Sequence, residues 1–366
     1  MNPHPIPPAM AKAKGFTLVE VMVAMVIGMI GIIIMMQVFA SAEGQKRTTT
    51  GTGDAQSNGT MAIYTLQRDI REAGYGFNAM NALGCALVLP APASRTLTQL
   101  GPVIINPPTA EVPAGDANTD TLLVAYGNGE GAPEGDVITA INGIQLAVQA
   151  PGNFHVGPPA DRVVAAPSAP LVGCSLTLAT VSAVVAPNVS VAGSGAVEGG
   201  TLFNLGNNPR LLAYAVRAGN LTVCDYLAAD CGAACTALDP PTCSAAWVPI
   251  ANNIVSLRAQ YGRDTTATAD GIDTWDQTTP QFDPLKTQEN FACLWARASA
   301  LRIAVVARNT QVDKGTVTAQ APVWEGSGGA AIDLTARADW QNYRYKVFET
   351  VVPLRNLGWM ATCTIN

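Results

Sequence analysis

The chain has 366 residues, enough for one large or two ordinary domains, and is 48% hydrophobic but only 13% charged, about half the charged share of an average globular protein. With 21 basic against 27 acidic residues its net charge is −6. It has no basic field to hold a phosphate backbone and no interleaving of aromatic with basic residues, so no nucleic-acid partner is expected.

The first predicted element lies in "KGFTLVEVMVAMVIGMIGIIIMMQVF", Lys14 to Phe39, where Glu20 is the one charged residue from Phe16 onward. At a rise of about 1.5 Å per residue this stretch makes a helix of roughly 36 Å, enough to cross a hydrocarbon core of about 30 Å. Lys12 and Lys14 precede it, with no acidic residue from Met1 to Gly15. The positive-inside rule therefore keeps the N-terminus cytoplasmic and sends the bulk of the chain outside. Two plainer readings compete. "QVFASAEGQ" offers Ala40 and Ala42 to a signal peptidase, and a simple signal anchor would explain the lysines and the span. The apolar run is long for the former, and neither accounts for Gly15, Thr17 or Glu20. An ionised side chain costs about 2.5 to 3.5 kcal/mol at mid-bilayer, so Glu20 calls for a function.

"KGFTLVE" resembles the processing site of type IV prepilins and pseudopilins: a short basic leader ending in glycine, then phenylalanine, then an acid at the fifth mature position. The resemblance implies that a prepilin peptidase cuts between Gly15 and Phe16 and methylates the new amine. Losing Lys12 and Lys14 takes the formal charge from −6 to −8. The freed ammonium lies one turn from Glu20, and two unit charges about 4 Å apart attract by about 4 kcal/mol at an effective dielectric of 20, comparable with the insertion cost. Between subunits such a pair sets axial register, which makes Glu20 an assembly residue. Snorkelling to the headgroups is the alternative.

No proline interrupts Phe16 to Leu89, so the helix is expected to continue over 41–74. The glycines and threonines of "EGQKRTTTGTGDAQSNGT" predict fraying or interruption. Order returns in "TMAIYTLQRDIREAGYGF", where Ile63, Leu66, Ile70 and Ala73 recur at helical spacing, Gly74 is a stop, and Arg68, Asp69, Arg71 and Glu72 are expected on the wetter side. From residue 75 onward "TLLVAY", "DVITAINGIQLAV", "SLTLATVSAVV", "LLAYAVRAGNLTVCDY", "IVSLRAQYG", "LRIAVVARN" and "YRYKVFETVVPL" read as strands or hairpins. A turn is placed at Gly219 and Asn220. "PAPAS", "VIINPPTAEVPAG" and "HVGPPADRVVAAPSAP" read as surface loops.

Eight cysteines, Cys85, Cys174, Cys224, Cys231, Cys235, Cys243, Cys293 and Cys363, all follow the apolar segment. In an oxidising compartment they are disulfide candidates of undetermined connectivity, with bonding inside the 224–243 cluster expected to staple a local loop. Zinc on four thiolates is the alternative, although paired CxxC spacing is lacking. The predicted architecture is α+β: a pilin-like long N-terminal helix, its first half (16–40) transmembrane, packed on an antiparallel sheet with an elaborated, disulfide-containing β-rich head over 75–366.

"NGTMAIYTLQRDIREAGYGF", "IANNIVSLRAQYGRDTTATADGIDTW" and "LRIAVVARN…YRYKVFETVVPLRNLGW" resemble segments of minor pilins of the PilW type. That resemblance implies a non-enzymatic subunit that primes pilus assembly with other minor pilins and the major pilin at an inner-membrane platform, then sits at the pilus tip with a large adhesin. A type II secretion pseudopilin is the rival within the class, and a membrane-anchored or secreted hydrolase or binding module is the rival outside it.

The residues give catalysis little to work with. His4 leaves with the leader, His155 stands in a loop, and no nucleophile elbow, HExxH, Walker loop or dinucleotide fingerprint is present. "DTTATADGIDTWD" places Asp264, Asp270, Asp273 and Asp276 around Gly271. Oxygen ligands alternating along a Gly-turned loop are a calcium candidate, although EF-hand spacing is absent and a solvated turn is the plainer reading.

Overall fold

In the computed structural model, which describes residues 15–77, 79, 81–132, 134–168, 173–233, 246–266, 270–280 and 294–357, α1 (Leu18–Glu72) runs 55 residues as one helix. The interruption expected in the Thr/Gly tract is not there. Thr48, Thr49 and Thr52 return their hydroxyls to the carbonyls four residues earlier, at 3.0, 3.0 and 2.7 Å. Groups that would otherwise compete for the backbone are thus absorbed along the helix wall. Glu43 and Arg47 add an i,i+4 pair at 3.1 Å.

The chain divides into two compact units, Met1–Thr52 and Gly53–Asn366. In the first, α1 is long and apolar enough to cross a membrane, and none of its apolar window is buried.

In the second unit, Ala55, Ala62, Leu66 and Ile70 form the buried stripe of α1, and Ala73 just past its end continues it. The helix stops at Gly74, whose φ of +84° suits a residue without Cβ. Strands follow in three groups. β1 (Ala86–Val88), β2 (Thr96–Leu97), β3 (Val103–Ile105) and β4 (Leu122–Tyr126) come first. β5 (Asp136–Asn142), β6 (Gln145–Val148), β7 (Arg162–Ala166), β8 (Ser175–Thr177), β9 (Ala179–Val185), β10 (Asn188–Val191) and β11 (Thr201–Gly206) come next. β12 (Arg210–Arg217), β13 (Asn220–Asp225), β14 (Val248–Asn252), β15 (Ile254–Arg263), β16 (Thr274–Asp276), β17 (Ala298–Arg308) and β18 (Tyr345–Pro353) complete the order.

β4 and β12 pair antiparallel within a five-stranded sheet, β14-β13-β12-β4-β3. Between them the chain builds a closed barrel, β10-β6-β5-β11-β7-β9, with its own core of Ile138, Leu146, Phe154, Val163, Val181 and Leu202. β8 leaves the barrel strands to pair with β1 in a parallel ladder. In the last sheet, β16-β15-β17-β18, the central strand β17 is buried on both faces. Leu301, Ile303 and Val305 enter the main core, whereas Ala304 and Val306 meet Trp324, Ile332 and Leu334 on the other side. That two-sided burial is why "IAVVA", 303–307, reads as a continuous apolar run.

Three expectations need correction. β3 and β7 lie within segments read as proline-rich loops, because prolines flank rather than interrupt runs of Val, Ile and Ala of strand length. The positive φ values of the β12–β13 turn fall on Ala218 (49°) and Gly219 (72°), one residue earlier than expected. Asp116 explains the alanine: its two carboxylate oxygens accept the Ala218 and Gly219 amides at 2.9 and 2.8 Å. Asp69 is not on a wet face; it is 1% exposed.

Gly59, which helix propensity counts against α1, has a packing reason. A Cβ there would lie 2.0 Å from the Phe348 ring on β18. Lys346 bonds Gln56, and Thr310 bonds Asp54 at 3.0 Å, along the same seam.

Candidate functional site

Gly15 and Phe16 precede the first turn of α1, and Phe16 is 86% exposed. Thr17 stands at the N-cap. Its backbone amide and its hydroxyl both bond Glu20 Oε2, at 2.9 and 3.1 Å, while the Glu20 amide donates to Thr17 Oγ1 at 3.2 Å. This reciprocal pair is a capping box. It holds the carboxylate at the positive end of the helix dipole, beside the bond whose cleavage would free the Phe16 amine. The T-x-x-E spacing of "TLVE" is the signal of this cap in the sequence. Glu20 therefore has a local partner within its own chain.

Among the described residues, four of the eight cysteines form two disulfides. Cys85–Cys174 closes a separation of 89 residues and ties the strand β8 side of the barrel segment to β1, and Cys224–Cys231 closes one of 7. The latter consumes two of the thiolates a zinc knot would need. Cys235, Cys243, Cys293 and Cys363 lie outside the described residues, as do Met1 to Lys14. The small loop is also gripped by Arg95, which meets Asp230 through two bonds of 2.7 and 2.8 Å and reaches Ala110 O at 2.7 Å. The Arg95 bond lowers the Asp230 pKa.

The acidic loop is occupied by its own donors. Asp264, 4% exposed, accepts the amides of Thr266, Asp270 and Gly271 and faces Arg297 at 3.3 Å. Burial pushes its pKa up, but the amide and hydroxyl donors led by Gly271 outweigh that and leave it lowered. Asp273 accepts from Thr265, and Asp276 pairs with Arg263. Among the described residues no group of three or more potential ligands converges. The Arg297 guanidinium stands 3.3 Å from the central carboxylate of Asp264. His155 donates its amide to the buried Asp161 at 2.8 Å, and Asn204 bonds the same oxygen at 2.9 Å.

A family model of the prokaryotic N-terminal methylation motif matches residues 10–36, and one of type IV pilus-assembly protein W matches residues 234–356. No curated protein and no solved structure matches the chain. The methylation motif, the apolar helix behind it and the β-rich head define a type IV pilin anchored in the inner membrane by its N-terminal segment. Its second match, spanning β14 to β18, is to the PilW family of pilus components.

Proposed function

We propose that this pilin is a minor subunit with a structural role, priming assembly in a tip or initiation complex with other minor pilins and a large adhesin. The observation that carries the reading is Glu20, a carboxylate capped by Thr17 at the head of an apolar helix whose sides are exposed. Cleavage by a prepilin peptidase after Gly15 supplies an ammonium at Phe16. The Thr17 bonds hold the carboxylate until the ammonium of a neighbouring subunit competes for it with the attraction of a full opposite charge, about 4 kcal/mol at 4 Å and an effective dielectric of 20. The pair then selects the subunit's place as the helix leaves lipid for the bundle. The head favours a cap over a repeating shaft, because the barrel inserted between β4 and β12 adds bulk that close stacking would have to accommodate.

Mass spectrometry of the mature N-terminus tests the first step: the expected species begins at a methylated Phe16, and an uncut chain or a cut after Ala42 defeats the proposal. Glu20→Ala is expected to be processed and inserted normally yet lost from sheared pili. Equal incorporation of that variant removes the pairing mechanism while leaving processing intact.

A further inference from the structure

α1 is held by different surroundings along its length. Over 18–39 it is apolar enough for lipid, where an amide that left its helix would have no water to bond. From residue 54 onward the head holds it: Asp54 accepts the Thr310 hydroxyl at 3.0 Å, and Ala55, Ala62, Leu66 and Ile70 are buried. Between these stretches lies "GQKRTTTGTG", 44–53, in which every residue except Gly51 is exposed. Three glycines and four threonines in ten residues stand toward the unfavourable end of helix propensity.

The side-chain bonds along 44–53 are local. Thr48, Thr49 and Thr52 bond carbonyls four residues back, an arrangement that slightly destabilises and bends helices. The Glu43–Arg47 pair is 55% and 53% exposed, where ion pairs contribute little. The glycines differ in the same way. Gly59 has the Phe348 ring against it, whereas a Cβ added at Gly44 or Gly53 would meet nothing within 4 Å. Packing does not demand glycine at either position, and what glycine supplies there is backbone freedom. We infer that 44–53 is a joint in α1, which opens from helix to coil while the helix stays intact on both sides. At about 1.5 Å per residue the closed joint spans about 15 Å, and at about 3.3 Å per residue the open one reaches about 33 Å. The membrane segment and the head thereby stay folded while the link between them lengthens and turns. The joint belongs to the chain whether or not Glu20 pairs with a neighbour's amine, so its test needs no filament.

The test is hydrogen–deuterium exchange, read by mass spectrometry on the full chain in lipid nanodiscs. Amides of 44–53 are expected to be at least tenfold less protected than those of 60–70. Gly44→Ala combined with Gly53→Ala should raise protection across 44–53 about tenfold or more and leave the melting temperature of the head unchanged. Protection of 44–53 within tenfold of that of 60–70, or protection across 44–53 unchanged by the double substitution, overturns the inference.

Discussion

Asp69 on α1 and Tyr214 on β12 meet through a buried hydrogen bond from phenol to carboxylate, 145 residues apart in the chain. Tyr126 on β4 donates to the other carboxylate oxygen at 3.1 Å, and Arg68 reaches that same oxygen at 2.9 Å. The helix is thereby fastened to two neighbouring strands of the five-stranded sheet at a single carboxylate. Asp69→Ala would strand the buried Tyr214 hydroxyl and the half-buried Tyr126 hydroxyl, and a loss of about 3 kcal/mol is expected. Tyr214→Phe, which leaves Tyr126 and Arg68 in place, should cost about 1 to 2 kcal/mol. Chemical denaturation of the full chain in detergent measures both.

The same cluster predicts alkaline sensitivity. Burial first, and the Asp69 carboxylate second, raise the pKa values of Tyr214 and Tyr126 above the ordinary 10.0. A group whose folded pKa is raised contributes stability that is full below the unfolded pKa and declines as pH rises past it. Melting temperature should therefore fall above about pH 10, and less steeply in Tyr214→Phe. Parallel slopes in the two proteins would refute the assignment.

Glu111 is 3% exposed; its Oε1 takes the Thr98 amide at 2.6 Å while Oε2 has no partner among the described residues. Burial raises its pKa above 4.5. The sign is the same: the folded state favours the protonated form, so the cost of the buried charge appears as pH rises through the folded pKa. Glu111→Gln should stabilise the head by about 1 kcal/mol at pH 7. The advantage should shrink toward pH 4, as thermal melts at the two pH values would report.

Asp264 has the opposite sign. Its pKa is lowered from 3.8, so its contribution is present above that value and lost as pH falls through the folded pKa. Asp264→Ala removes the acceptor of three loop amides and the partner of Arg297, and about 2 to 4 kcal/mol should be lost. Chelator is expected to leave the wild-type melting temperature unchanged. A calcium-dependent rise abolished by Asp264→Asn would instead establish a metal site.

The disulfides should differ in weight. Chain-entropy arguments give roughly 4.6 kcal/mol for closing 89 residues and roughly 2.4 for closing 7. Replacing Cys85 and Cys174 by serine should therefore destabilise more than replacing Cys224 and Cys231, measured by denaturant midpoints.

Some of this architecture is written in near neighbours. The membrane-length run, the "KGFTLVE" motif and the strand-sized apolar runs depend on residues within a turn or a few pleats, and all appear where the letters place them. The capping box was equally legible in Thr17 and Glu20, because its bonds span three residues. Other features depend on partners that no local pattern announces. Asp69 looks like one more surface charge until Tyr126 and Tyr214 arrive from 57 and 145 residues away. The end of α1 is capped by Asn356, which donates to the Arg71 and Glu72 carbonyls at 3.1 Å across more than two hundred residues. The Thr/Gly tract stays helical although its propensities argue otherwise, and Gly59 is explained only once the Phe348 ring lies against it. Local preferences are worth about 1 kcal/mol per residue or less. Burial and long-range hydrogen bonds act across the whole chain, and where the two disagree, as at Asp69 and Gly59, the packed structure prevails.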